Sequence, residues 1–257
     1  MDRVGLVLCI DIGNRNVKSG IFGNGNLVKA FEGFPSAGDL RGVNAVVFSS
    51  VSPQKEAKLV ELLGSSKFEG EILRISAAHQ KHLKVNYTNP GELGDDRVAF
   101  SFYLCRKYGN GLGIDAGTFV NAEWVKDGVH YPMVIFPGIH ILKDSYGKGE
   151  RLKGLNVPYS FETLSSCEDL SFLRGESKEL EKVLPRSTEG CAIMGLILSL
   201  YGIVNGLIQL TGEKNIVFTG GDGEILKELV GLGVYEKHAV LLGLYEYYST
   251  VLFNSKL

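Results

Sequence analysis

An aspartate, one residue and then a glycine close an apolar run twice in this chain, as Asp11-Ile12-Gly13 after LVLCI and as Asp115-Ala116-Gly117 after LGI. A strand-end carboxylate can face a divalent cation or its waters, and glycine lets the backbone come up against phosphate oxygens. One such turn is an ordinary strand ending. Two, each opening one half of a chain, suit a cleft that clasps a nucleotide from both sides. A third turn, Thr219-Gly220-Gly221, follows NIVF and reads either as bare backbone for a base or ribose or as a tight strand-to-helix link. Gly94-Asp95-Asp96-Arg97 stands before an apolar helical run. Its adjacent carboxylates and arginine supply a base for a hydroxyl proton and a bidentate anion clamp. The same spacing also fits a helix cap with Arg97 on a solvated face.

These residues need elements to hold them, and the apolar patterning supplies two similar sets. VGLVLCIDIG reads as a strand, and the Asn-Gly pair in VKSGIFGNGNLVKAF reads as a hairpin. A buried strand follows from Asn44 to Pro53, then a helix, QKEAKLVELLG, with Gly64 as its C-cap. GEILRIS is a third strand, VNYTNPGELGDDR a loop and VAFSFYLCRKYG an apolar helix. The grammar then restarts: CIDIGNRNVKSGIFGNG laid over GIDAGTFVNAEWVKDG aligns Asp11 with Asp115 and Gly13 with Gly117. A charged, irregular stretch from Lys143 to Lys182 precedes a long helix from about Ser187 to Leu210. NIVFTGGDGEIL adds a strand, turn and helix, and HAVLLGLYEYYSTVL closes the chain as a helix. The expected division is an N-terminal half, 1–111, and a C-terminal half, 112–257.

Asp11-Ile12-Gly13-Asn14-Arg15-Asn16 resembles the D-x-G-N-T-N motif of type III pantothenate kinases, in the superfamily of acetate kinase, sugar kinases and actin. Tyr87-Thr88-Asn89-Pro90 through Gly94-Asp95-Asp96-Arg97 is similar to that family's Y-x-x-P…G-x-D-R stretch. Asp115-Ala116-Gly117-Thr118 resembles its D-x-G-T turn, Pro137-Gly138 its P-G element, Thr188 a threonine before the long helix, Thr219-Gly220-Gly221 its T-G-G, and Leu241-Leu242-Gly243-Leu244 its terminal segment. The resemblance implies an α/β fold of two ribonuclease-H-like, actin-like ATPase halves, mixed sheets flanked by helices, with a nucleotide cleft between them. It implies a homodimer that moves the γ-phosphoryl of ATP to the primary hydroxyl of pantothenate, the first step of coenzyme A synthesis. Asp11 would face the Mg²⁺·ATP phosphates, with Gly13, Asn14 and Asn16 lining the turn. Gly117, Thr118, Thr219, Gly220 and Gly221 would contact the nucleotide. Asp96 would be the general base; Tyr87, Gly94, Asp95, Arg97 and Thr188 would hold pantothenate; Asp115 would serve a monovalent cation, K⁺ or NH4⁺. Arg15 stands where the family commonly has threonine, and Phe119-Val120-Asn121-Ala122-Glu123 replaces a run with further threonines and an aspartate. The alternatives are a non-catalytic regulator that binds nucleotide or pantothenate, and another small-alcohol kinase or phosphatase of the superfamily.

Composition narrows the partners. Glycine takes 33 of 257 positions, roughly twice the ~7% of an average protein. With 44% hydrophobic and 22% charged residues the chain is globular, and a net charge of −2 gives no footprint for nucleic acid or anionic lipid. Cys9, Cys105, Cys167 and Cys191 lack metal-ligand spacing and read as reduced thiols of a cytoplasmic protein, Cys9 and Cys191 as buried ones. His79, His82, His130, His140 and His238 read as isolated. The uncharged run Cys191 to Thr211 has the length of a membrane span. Ser199, Asn205, Gln209 and its glycines make it instead a buried helix that a second helix could approach closely, and no membrane partner is expected.

Overall fold

The computed structural model describes residues 5–152, 154, 181 and 184–253. Cys167 and most of the charged stretch before Lys182 lie outside these. Two compact units are present: Met1–Gly113 with Glu123–Met133 and His238–Leu257, and Ile114–Ala122 with Val134–Lys237.

The strands are β1 Leu6–Ile12, β2 Val17–Gly23, β3 Asn26–Glu32, β4 Val43–Ser50, β5 Glu71–Arg74, β6 Lys84–Val85, β7 Gly111–Ala116, β8 Phe119–Lys126, β9 Val129–Pro137, β10 Ile216–Thr219 and β11 Val234–Tyr235. The helices are α1 Pro53–Ser65, α2 Asp95–Tyr108, α3 Ile139–Tyr146, α4 Thr188–Thr211, α5 Gly223–Val230 and α6 Ala239–Leu252. One sheet has the order β3-β2-β1-β4-β5, and the other β11-β10-β7-β8-β9-β6. The run β9-β8-β7-β10-β11 repeats the first order strand for strand, with β6 added beside β9. The restart seen in the sequence is thus a repeat of topology. Even the hairpins match: Asn24-Gly25 and Asp127-Gly128 both adopt positive φ, 52° and 86° against 51° and 73°, as a two-residue type I′ turn requires.

In the first unit β1 pairs antiparallel with β2 and parallel with β4. Its near-continuous apolar run is that of a strand covered on both faces. On one face Leu8, Ile10 and Ile12 cluster with Val46 and Phe48 of β4 and with Leu59 and Leu63 of α1. Burying each of those two leucines is worth about 1.5–3 kcal/mol. The other face takes α2 and α6. These two helices meet backbone to backbone at Gly243, where a Cβ would stand 1.8 Å from the Ala99 carbonyl oxygen.

Four expectations need correction. Gly64 does not cap α1, which runs on to Ser65 with Ser66 as C-cap. Ile139–Tyr146, expected to be irregular in part, is helical, and its Tyr146 hydroxyl donates to the Ala192 carbonyl at 3.0 Å. Cys191 is exposed, whereas Cys9 is buried. The expected burial of α4 holds for one stripe only, Ala192, Leu196, Ile197, Leu200, Val204 and Leu207. Leu198, Ile203 and Leu210 on the same helix are exposed. By length and composition α4 is also long and apolar enough to cross a membrane.

Candidate active site

Asp11 stands next to the end of β1, in register with Lys18 of β2 and Ser49 of β4. Cross-strand partners share a face of a sheet, so the three side chains converge. The Ser49 hydroxyl donates to Asp11 Oδ1 at 2.9 Å. Burial pushes the Asp11 carboxyl above its ordinary pKa, with the Ser49 hydrogen bond and the Lys18 charge pulling the other way. A carboxylate kept at a desolvation cost gains most when a cation arrives. Beyond it the Gly13 amide donates to the Asn16 carbonyl at 3.0 Å, closing a turn whose Asn14, Arg15 and Asn16 are exposed.

The end of β4 reaches a second group. After Ser49, which holds Asp11, the Ser50 amide donates to the Asp95 carboxylate. The Val51 side chain lies 3.5 Å from where a Cβ on Gly94 would be. Gly94 is the N-cap of α2, and a Cβ there would sit 2.5 Å from Asp96 Oδ1. The missing side chain therefore leaves room for the Asp96 carboxylate, which folds back to accept the Arg97 amide at 2.9 Å. Asp96 is half-buried, its carboxylate fixed by its own helix terminus.

Its two neighbours are less available than their spacing suggests. Asp95 is 5% exposed and accepts from Arg74 Nε at 2.9 Å, so little of its carboxylate is open to a substrate. Arg97 is buried rather than solvated, and its Nε pairs with Glu123 Oε1. Glu123, fully buried on β8, also accepts from His130 Nε2 on β9 at 2.6 Å. His130 is thus not isolated, while His79 is exposed in its loop. Asn86, next to Tyr87, donates its amide to the His130 carbonyl at 2.9 Å, and Tyr87 is exposed.

The second unit gathers the remaining turns. The Gly117 amide donates to the Phe119 carbonyl at 3.1 Å, and Gly138 donates to the Thr118 carbonyl at 3.0 Å. Gly220 has φ +86°, and a Cβ there would stand 2.4 Å from the Ala116 carbonyl and 2.5 Å from Asp115 Oδ1. The Asp222 amide donates to that same Ala116 carbonyl at 2.9 Å. Asp115, Gly117, Thr118, Thr219, Gly220 and Gly221 are therefore brought to one strand-end cluster of close-packed backbone. Thr188 is an exposed first residue of α4, where the Ser187 hydroxyl caps the helix by accepting from the Gly190 amide at 3.1 Å.

Residues 7–210 match the family model described as type III pantothenate kinase. The chain belongs to the type III pantothenate kinase family. A type III pantothenate kinase of Persephonella marina is 25% identical to it over 269 residues, covering 95% of this chain and 98% of the relative. Among solved structures, a Campylobacter jejuni protein described provisionally as a Baf family transcriptional activator superposes with a TM-score of 0.63 at 19% identity. That match covers 96% of this chain and 99% of the other. A Listeria monocytogenes protein described provisionally as an N-acetylmannosamine kinase superposes with a TM-score of 0.50 at 12% identity, again over 96% and 99%. The fold is that of the sugar kinases and actin-like ATPases, as the motifs implied.

Several residues that support this type III pantothenate kinase's turns carried no signal in the motif. Ser49 and Lys18 meet Asp11 only through strand register. Lys55 of α1 donates from one ammonium to the carbonyls of Gly13, Asn14 and Arg15 at 2.9, 2.7 and 2.9 Å. Glu123 and His130 become visible only once β8 and β9 lie beside α2. A glutamate inside the apolar run FVNAEWV was the one hint, because a buried carboxylate needs a paired cation.

Proposed function

We propose that the protein transfers the γ-phosphoryl of ATP to the primary hydroxyl of pantothenate, yielding 4'-phosphopantothenate for coenzyme A synthesis. Family membership sets the reaction, and the Asp96 carboxylate folded over Gly94 at the head of α2 is the observation that carries it. Phosphoryl transfer passes through a loose transition state, so positioning and charge neutralisation supply most of the rate and the base less. Asp96 accepts the proton of the attacking hydroxyl. Tyr87 and Arg97 bind the rest of pantothenate; Arg97 holds its carboxylate while Glu123 fixes the guanidinium from behind.

Among the described residues no three acidic, histidine or cysteine side chains group as a metal cage. Mg²⁺ typically binds through one or two carboxylates, waters and the substrate's phosphates. Asp11, half-buried beside Ser49, would hold it, and the ion would supply charge neutralisation at the triphosphate. Asn14 and Asn16 line that turn. In the second unit Gly117, Thr118 and Thr219-Gly220-Gly221 present bare backbone for the nucleotide. Asp115, against Gly220, holds a monovalent cation, K⁺ or NH4⁺.

The exposed stripe of α4 is the proposed homodimer contact. Leu198, Ile203 and Leu210 are exposed there, and nothing lies within 4 Å of a Cβ placed on Gly202 or Gly206. Small residues of this kind let a second helix approach closely. Cys9, Cys105 and Cys191 are free thiols, as suits the cytoplasm. The deciding experiment is a coupled assay with Mg²⁺·ATP and pantothenate in K⁺ and in Na⁺ buffers. Pantothenate-dependent ADP release, faster in K⁺, is expected; none in either salt would overturn the proposal.

A further inference from the structure

Lys55 occupies a position where helix electrostatics disfavour it. Helix α1 begins at Pro53, so Lys55 lies in the first turn, at the positive end of the macrodipole. A residue that breaks a local rule usually answers to something else. Here its ammonium spends all three donors on three successive carbonyl oxygens, those of Gly13, Asn14 and Arg15, at 2.9, 2.7 and 2.9 Å.

The peptide geometry then dictates what the turn presents. In a trans peptide the C=O of one residue and the N–H of the next point in opposite directions, and the described chain holds no cis bond. Three carbonyls drawn to one ammonium therefore turn the amides of Asn14, Arg15 and Asn16 away from it. Successive amides facing one side form a concave anion site, and a cation on the carbonyl side polarises each peptide so that its N–H is more positive. The Gly13 amide is the exception, since it donates to the Asn16 carbonyl and closes the turn.

We propose that Lys55 is a positioning residue for the phosphoryl donor: from behind the turn it holds three peptides so that their amides meet the triphosphate. This rests on the reading of Gly13–Asn16 as the ATP phosphate turn. An ammonium that touches only the rear of the turn should act on ATP and leave pantothenate alone.

The test compares wild type with Lys55→Met, which keeps length and loses charge, Lys55→Arg, which keeps charge in a planar head, and Asp11→Ala. Steady-state KM for ATP and for pantothenate, kcat, and Mg²⁺·ATP affinity by titration calorimetry are measured, with circular dichroism to check folding. Lys55→Met is expected to raise the ATP KM and Kd by about tenfold or more, with the pantothenate KM within about twofold of wild type. Lys55→Arg should fall between the two, and it carries the comparison if the methionine variant does not fold. Unchanged ATP affinity in folded Lys55→Met, with Asp11→Ala inactive, would overturn the clamp and leave the phosphate turn standing. An equal rise in both KM values would also overturn it. If Asp11→Ala keeps wild-type kcat and ATP KM, the reading of the turn itself fails.

Discussion

Replacing Glu123 with alanine tests whether the buried charges around Arg97 form one unit. Glu123 and His130 are fully buried and Arg97 is 8% exposed, so water can replace little of what the carboxylate supplies. Oε1 accepts from Arg97 Nε and Oε2 from His130 Nε2. His130 Nδ1 is buried with no hydrogen-bond partner among the described residues. His130 Nε2 faces a carboxylate oxygen, which only accepts, so that nitrogen carries a proton. Truncating Glu123 strands a guanidinium and an imidazole N–H together. Breaking a buried pair in this way costs about 3–5 kcal/mol. At roughly 2–4 °C per kcal/mol for a chain of this size, the apparent Tm should fall by roughly 6–20 °C. Urea unfolding followed by circular dichroism reads the same loss. The sharper measurement is the double variant Arg97→Met with Glu123→Leu, in which no charge is left unpaired. It should be more stable than Glu123→Ala, because a buried pair replaced by apolar groups of similar volume is often neutral. A Glu123→Ala loss below about 1 kcal/mol, the range of an exposed pair, or a double variant worse than the single, would refute the reasoning.

Asp96→Asn should lower kcat about a hundredfold or more while ATP affinity stays within about twofold; calorimetry showing an equal loss of ATP binding would remove Asp96 as the base. Asp11→Asn should abolish turnover and yet raise stability without Mg²⁺·ATP at neutral pH. The sign follows from the raised carboxyl: between its ordinary and its raised pKa the native state holds more protons than the unfolded state, so stability falls as pH rises through that window. Asparagine removes the buried charge, and a lower Tm at pH 7 would contradict this. Asp39 has the opposite sign. Hydrogen bonds from Lys29 first and Ser36 second lower its pKa from 3.8 to about 2. Its contribution is present above the ordinary value and is lost as pH falls toward about 2, so Asp39→Asn should flatten the acid limb of a Tm-against-pH curve there.

Local grammar carried far in this chain. Asp11-x-Gly13 and Asp115-x-Gly117 are legible because a strand run, a carboxylate and a glycine turn are written in consecutive residues. The hairpin pairs Asn24-Gly25 and Asp127-Gly128 made the repeat legible for the same reason. What the sequence hid is what depends on rotation about an axis. The apolar run from Cys191 to Thr211 does not say which stripe of α4 faces the core, so Cys191 was expected inside and lies outside. Lys55 stands 42 positions from Gly13, and its reach depends on how α1 docks on the sheet through Leu59 and Leu63. Arg97 looked like a solvated or ligand-facing cation because its partner Glu123 stands 26 positions further on, in a strand whose placement no local pattern records.

The two Asp-x-Gly turns are held by different means, and their lengths give the reason. The second is tight: Gly117 bonds Phe119, two residues on, Gly138 packs on the Gly117 and Thr118 carbonyls, and Gly220 and the Asp222 amide meet the Ala116 carbonyl. Packed backbone of this kind makes a fixed wall. The first is one residue longer, since Gly13 bonds Asn16, and its Asn14, Arg15 and Asn16 are exposed. A loop that must stay open to an anion cannot be buttressed by packing on the side the anion needs. It can be held only from behind, and for three carbonyls facing the same way an ammonium is the fitting partner, because Lys brings three donors and no acceptor. The charge on Arg15, next to that clamp, then adds to the positive field at the turn. Had Lys55 been an uncharged residue of the same length, those three carbonyls would turn toward water and the amides would lose their common direction. The lysine at the wrong end of α1 and the long first turn are thus two parts of one solution.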